Sequence, residues 1–170
     1  GNKKHVLSIC SGIHKERLKI PWSVMGDAMC TDEEMLYAMK EAGCIGIKFG
    51  LESASEEILK NINKPLKTQR LTTLLKICRK LKLKTHITVS LGHIGETEET
   101  VRYTMKYVTK LDVDSIQFSL ATPYPGTSFY EYARSNHMIL VSRWEDYDPT
   151  HNPVVRLPGV SYEFLKKTEA

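Results

Sequence analysis

Three stretches of this chain carry a pattern that few folds accommodate, because each alternates apolar and polar residues with a period of two. Ile45, Ile47 and Phe49 alternate with Gly46, Lys48 and Gly50; Ile87, Val89 and Leu91 with His86, Thr88 and Ser90; Ile116, Phe118 and Leu120 with Gln117 and Ser119. That period belongs to a strand with one face in an apolar core and the other face polar. Helical patterns separate the stretches, the clearest being Leu71, Leu74, Leu75, Cys78 and Leu81. Strands alternating with helices give βα units and a parallel sheet. In a doubly wound sheet helices cover both faces and the strands read as apolar throughout. Burying Lys48, His86 and Gln117 in that way would cost kilocalories apiece. The predicted fold is therefore α/β: part of a barrel of about four parallel strands, with helices outside and a wet inner face.

In chain order, residues 3–17 read as a helix carrying Val6, Ile9, Cys10 and Ile13, and Pro21 ends it before a first strand at residues 22–25. Thr31 and Glu34 have capping-box spacing ahead of the Met35, Leu36, Met39 stripe, and Gly43 is placed to stop that helix. Ser53 and Ser55 are candidate caps for a short helix at residues 56–62, and Thr68 for the long helix after Pro65. A helix with Val101, Met105, Val108 and Leu111 follows the turn at residues 92–97. The last strand, residues 114–121, runs into Thr122-Pro-Tyr-Pro-Gly-Thr127 and a helix at residues 128–135. Past Trp144 the chain turns irregular, with Pro149, Pro153, Pro158 and a final short helix near residues 162–167. This divides the chain into a core at residues 1–148 and an extension at residues 149–170.

The chain has 170 residues and 41% apolar content, enough for one compact core. It has no long apolar span and no signal-peptide pattern, which points away from membranes and to the cytoplasm. A net charge of +4, without aromatic interleaving of the basic runs, argues against nucleic acid and for solvated helix faces. Cys10, Cys30, Cys44 and Cys78 are too widely spaced for a zinc or iron–sulfur signature and read as buried thiols of a reducing compartment. The histidines His5, His14, His93, His137 and His151 have no ligand spacing, so no metal site is predicted.

Candidate chemistry collects where strands end, the usual ligand edge of α/β folds. Glu52 follows the second strand and could accept hydrogen bonds from a ribose diol. Gly92, Gly95 and Glu96 place permissive backbone beside the third strand, free to approach a flat ring or an anion. Tyr124, Pro125, Gly126 and Thr127 form a rigid ledge with backbone acceptors after the fourth, suited to adenine. His86 reads either as an acid–base group or as a hydrogen-bonded wall of the same inner face.

Together these strand ends resemble the radical S-adenosylmethionine superfamily. GCIGIKFGLESASEEILKNINK resembles its fourth-strand region, GHIGETEETVRYTMKYVTKL its fifth, and DSIQFSLATPYPGTSFYEYA its sixth, particularly in the branch whose members carry a cobalamin-binding domain. The resemblance covers residues 22–147 and implies strands three to six of a (β/α)6 partial barrel. It implies Glu52 and Ser53 on the ribose side, Gly92, Ile94 and Gly95 beside adenine, Tyr124, Pro125, Gly126 and Thr127 around it, and His86, Ser90, Gln117 and Ser119 toward substrate. Ile94 stands where the GxPGET form has proline.

A parent protein of this kind would use S-adenosylmethionine and a [4Fe–4S] cluster, with cobalamin a further cofactor of the branch, to make a 5′-deoxyadenosyl radical that abstracts hydrogen from a substrate the sequence does not identify. The cluster motif CxxxCxxC does not occur in this chain. On that resemblance the chain alone is expected to be inactive and to hold no cofactor tightly. Its partner is the amino-terminal half of the same domain, and its first strand offers an open edge for self-association. The alternative is a non-catalytic module that binds an adenosyl nucleoside or serves assembly. A complete-barrel aldolase or isomerase would need eight strands.

Overall fold

The computed structural model describes residues 2–148 and 152–169. Gly1, Pro149 and His151 lie outside the described residues. The elements alternate as expected: α1 (Lys3–Lys15), β1 (Trp22–Gly26), α2 (Glu33–Glu41), β2 (Cys44–Glu52), α3 (Glu56–Asn61), α4 (Thr68–Lys80), β3 (Lys84–Leu91), α5 (Glu98–Val108), β4 (Ser115–Leu120), α6 (Ser128–Ser135) and α7 (Tyr162–Glu169). The four strands form one parallel sheet in sequence order, β1-β2-β3-β4. Parallel neighbours need helical crossovers, and the stretches between the strands supply them.

The residues fall into two compact units. The first holds the stretch ending at Leu51, Leu66–Val89 and Val108–Gln117; the second holds Glu52–Pro65, Ser90–Tyr107 and the chain from Phe118 onward. In the first unit the apolar stripes of α2 and α4 bury Leu36, Met39, Leu71, Leu74 and Cys78, together with Ile47, Phe49, Ile87 and Val89 of the strands. Each fully buried side chain of this size contributes roughly 1.5–3 kcal/mol relative to exposure. In the second unit Ile58, Leu59, Leu91, Val101 and Ala133 are buried, and so are Val154, Val160 and Leu165 from the terminal extension.

Some helix starts differ from expectation. Thr31 does not cap α2: its hydroxyl donates to the Asp27 carbonyl at 2.8 Å, and Asp32 caps instead, accepting from the Met35 amide at 3.0 Å. The turn that begins at Asp27 draws Thr31 inward, since the amides of Cys30 and Thr31 both donate to the Asp27 carbonyl. Arg70 of α4 fixes the same loop, donating to the carbonyls of Ala28 at 2.7 Å and Thr31 at 2.8 Å. Thr68 is the first residue of α4, with Lys67 at the cap position, and Ser55 caps α3 without a side-chain bond.

Ile45 departs from the alternation read for β2: it is 53% exposed, whereas Ile47 and Phe49 are buried. The register explains it, because Trp22 pairs with Cys44 but Ser23 pairs with Gly46. One extra residue on β2 makes a bulge at Ile45 and turns its side chain out of the core. Gly43, at φ +89°, ends α2 in the left-handed turn expected of it.

Candidate functional site

The ends of β2, β3 and β4 all belong to the second unit. Glu52 closes β2 with φ at +64°, a left-handed conformation that costs a non-glycine residue about 1–2 kcal/mol. Its carboxylate accepts from Lys64 Nζ at 2.7 Å, and each side chain is one-quarter exposed. Strain of this kind at a strand end points toward function. Ser53 beside it is fully buried, its hydroxyl 3.1 Å from the Thr104 hydroxyl and accepting from the Ser55 amide at 3.2 Å. Thr104 also accepts from the Ala54 amide at 3.1 Å, so α5 clamps the chain as it leaves β2.

After β3 the chain turns through Gly92 at φ +90° and Gly95 at φ +81°. The Asn61 side chain donates to the Ile94 carbonyl at 3.0 Å, and a Cβ on Gly95 would lie 2.7 Å from its amide nitrogen. Only glycine lets α3 hold the turn this closely. Glu96 closes the turn from within: one carboxylate oxygen accepts from the amides of Gly92 and His93, and the side chain is 2% exposed. Burial pushes its pKa up, opposed by those two amides. Its other oxygen, Oε1, is buried without a partner.

His93 is held nearby, with burial pushing its pKa down against the opposing Glu52 carboxylate. Its Nε2 is also buried and unpartnered. After β4, the Thr127 hydroxyl donates to the Tyr124 carbonyl at 2.7 Å and accepts from the Tyr130 amide at 3.1 Å, which closes the turn and caps α6. The Tyr124 ring packs against Trp144 and Tyr147, with centroids 5.9 and 6.3 Å away.

These segments enclose a cavity of about 520 Å³ whose walls include Ser90, His93, Ile94, Ser119, Tyr124 and Thr127. Five residues expected from the sequence, Ser90, Ile94, Ser119, Tyr124 and Thr127, thus meet in one space. Glu52, Ser53, Gly92, Gly95, Pro125 and Gly126 are not among its walls. Glu52 reaches it electrostatically through His93, and Gly92 and Gly95 shape the turn that forms part of it. His86 and Gln117 belong to the first unit, where His86 lines a different cavity. Asn61 and Lys64 went unmarked in the sequence, since nothing in helical or strand periodicity signals a side chain that bonds a loop carbonyl or a strand-end carboxylate.

The radical SAM superfamily model matches residues 4–108. The chain belongs to that superfamily. It is 38% identical over 166 residues to an uncharacterized methyltransferase of Pyrococcus horikoshii, covering 98% of this chain and 36% of that protein. It is 27% identical over 122 residues to the bacteriochlorophyllide d C-8(2)-methyltransferase of Chlorobaculum tepidum, covering 71% of this chain and 27% of that one. The chain therefore spans about a third or less of these curated relatives. Its fold matches the radical S-adenosylmethionine methyltransferase TsrM of Kitasatospora setae, solved with cobalamin and a [4Fe-4S] cluster, at a TM-score of 0.71 and 23% identity over 79% of this chain and 26% of that one. The likeness is one of fold, the partial (β/α) barrel of radical SAM enzymes.

The cavity's apolar walls fit the flat faces of a nucleoside. Three of the cysteines are buried and do not fit an iron–sulfur cluster, whereas Cys30, expected to be buried, is exposed in the turn after β1. Burial holds the Cys10 and Cys44 thiols above their usual range and pushes Cys78 up to about 12, which disfavours the thiolates a cluster needs. Among the described residues no three histidine, cysteine or acidic side chains stand together as metal ligands.

Proposed function

We propose that this radical SAM chain is the carboxyl-terminal portion of the catalytic domain of an S-adenosylmethionine-dependent methyltransferase, and that its part is to hold the adenosyl group. The observation that carries this reading is the cavity of the second unit, where segments following three strands converge on an apolar space that His93 lines, with the Glu52 carboxylate acting on His93. The methyltransferase relatives support the reaction class. In a complete protein, a cluster and S-adenosylmethionine would supply a 5′-deoxyadenosyl radical for hydrogen abstraction, with cobalamin as a further cofactor.

Within this chain Glu52 accepts from the ribose hydroxyls, exchanging its bond to Lys64 for them. The turn at Gly92, Ile94 and Gly95 lays backbone against one side of the adenine. Tyr124, Pro125, Gly126 and Thr127 wall the other side, with the Tyr124 ring braced by Trp144 and Tyr147. Ser53 supports this arrangement through its clamp on Thr104. Ser90 and Ser119 face the substrate from the same cavity, and His86 and Gln117 extend the polar face along the strands. The amino-terminal half of the domain pairs with the open edge of β1, an edge through which the chain alone would self-associate.

Calorimetry with S-adenosylhomocysteine tests the binding reading. Loss of a charge-assisted bond in Glu52→Gln should weaken affinity by about tenfold; equal affinity in both proteins would remove Glu52 from the site. Release of 5′-deoxyadenosine by the full-length, cluster-reconstituted protein with a strong reductant tests the enzymatic reading. The second reading, a non-catalytic adenosyl-binding or assembly module, draws on the poor fit of the cysteines to a cluster. It predicts binding without 5′-deoxyadenosine formation.

A further inference from the structure

The first unit has a cavity of its own, of about 380 Å³, and its chemistry differs from that of the nucleoside cavity. Its walls include Ser23 of β1, Lys48 of β2, Lys84 and His86 of β3, and Asp114 and Ser115 at the start of β4. The charges there do not cancel. Asp114 is fully engaged: one oxygen accepts from Lys84 Nζ at 2.7 Å, and the other from the Thr85 amide at 2.8 Å and the Thr85 hydroxyl at 3.2 Å. These donors hold its carboxyl at a pKa of about 2. Lys84 is thereby paired.

Lys48 has no ion-pair partner among the described residues, and the residue opposite it on β1 is Met25, which cannot offer one. Gly46 and Gly50 flank Lys48 on the same face of β2 and cover it with no side chain. One positive charge, partly withdrawn from water on an inner strand, therefore stands in a polar cavity without its counter-charge.

The neighbouring imidazole is fixed rather than free. His86 Nδ1 lies 2.8 Å from the Ser115 hydroxyl, and Nε2 lies 3.4 Å from the Gln117 side-chain oxygen. Both ring nitrogens therefore have a partner, which holds the plane of the ring. Such anchoring costs side-chain entropy, and a solvated histidine has no need of it.

We propose that this cavity binds an oxyanion, a carboxylate or a phosphate group, which accepts from Lys48 with His86 and Ser23 beside it. The proposal does not depend on the nucleoside reading, because every residue it uses belongs to the first unit. A lysine ammonium binds such a group as a point charge.

The test is a titration of the protein with inorganic phosphate and, separately, with succinate at low ionic strength, following the His86 ring protons by NMR. A saturable shift is expected, with the tighter of the two probes showing whether the group is a phosphate or a carboxylate. Lys48→Gln should weaken binding by about tenfold while Lys48→Arg stays within about threefold. Lys19→Gln, an exposed lysine elsewhere in the unit, should have no effect. The proposal is overturned if neither probe produces a saturable shift at His86, or if Lys19→Gln weakens binding as much as Lys48→Gln. Should Lys48→Gln fail to fold, the wild-type shift together with Lys48→Arg still decides.

Discussion

Two glutamates follow neighbouring strands in the second unit, and their surroundings are opposite. Glu52, at the end of β2, is strained in backbone, one-quarter exposed, and paired with the Lys64 side chain. Glu96, after β3, is almost fully buried and spends one oxygen on two backbone amides of its own turn. The first is held by a side chain and the second by its own backbone. A carboxylate at the end of a parallel strand is therefore not in itself a ligand contact. What separates the two roles is whether the hydrogen-bond partners are side chains in water's reach or backbone amides sealed inside a turn.

The largest effect should come from breaking the buried member. Glu96→Ala strips the Gly92 and His93 amides of their acceptor, and leaving buried donors unmade costs about 1–3 kcal/mol each. A loss of about 2–6 kcal/mol should lower the thermal midpoint by roughly 4–24 °C. Glu96→Gln keeps one acceptor oxygen and should fall by less. A Glu96→Ala protein melting beside wild type would mean that the turn stands without its internal carboxylate.

The exposed member should behave in reverse. Glu52→Gln should leave the thermal midpoint nearly unchanged, since partly exposed ion pairs contribute about 0–1 kcal/mol. Glu52→Gly sharpens the contrast further. It relieves the left-handed strain and should gain up to about 1 kcal/mol in stability, yet it should lose nucleoside affinity as Glu52→Gln does. A midpoint below wild type for Glu52→Gly would show that the Lys64 pair outweighs the strain.

This division also marks where the sequence stops being informative. Strand and helix order, the polar faces of β3 and β4, and Ser90, Ser119, Tyr124 and Thr127 follow from local periodicity and turn chemistry, while Ile94 comes from the family resemblance. Both are properties of neighbouring residues. Exposed Ile45 was not legible, because the bulge that turns it outward is a matter of register between β1 and β2. Asp32 displaced Thr31 as cap because the turn at Asp27 captured the threonine hydroxyl. Glu96 was visible as a residue but not as a buried one, since its partners are backbone amides, which every sequence has. Lys64 sits twelve positions from Glu52, beyond any helical or strand repeat.

The smallest effect, and the finest test of the comparison, lies in pH. The folded-state pKa of Glu96 is raised by burial, so its contribution to stability is full below the unfolded carboxylate value of about 4.3 and is lost as pH rises through the folded value. Asp114 in the first unit is a carboxylate of the opposite kind, held at about 2 by Lys84 and Thr85. Its contribution is present above the unfolded value of about 3.9 and is lost as pH falls toward 2. Urea midpoints across this range should therefore decline at both ends for different reasons. Glu96→Gln should flatten the upper limb alone, and Asp114→Asn the lower limb alone. If Glu96→Gln left the upper limb unchanged, the buried carboxyl would have to be ionised in the folded and unfolded states alike. The amides of Gly92 and His93 would then offset its desolvation in full, and the turn would be closed by a carboxylate throughout.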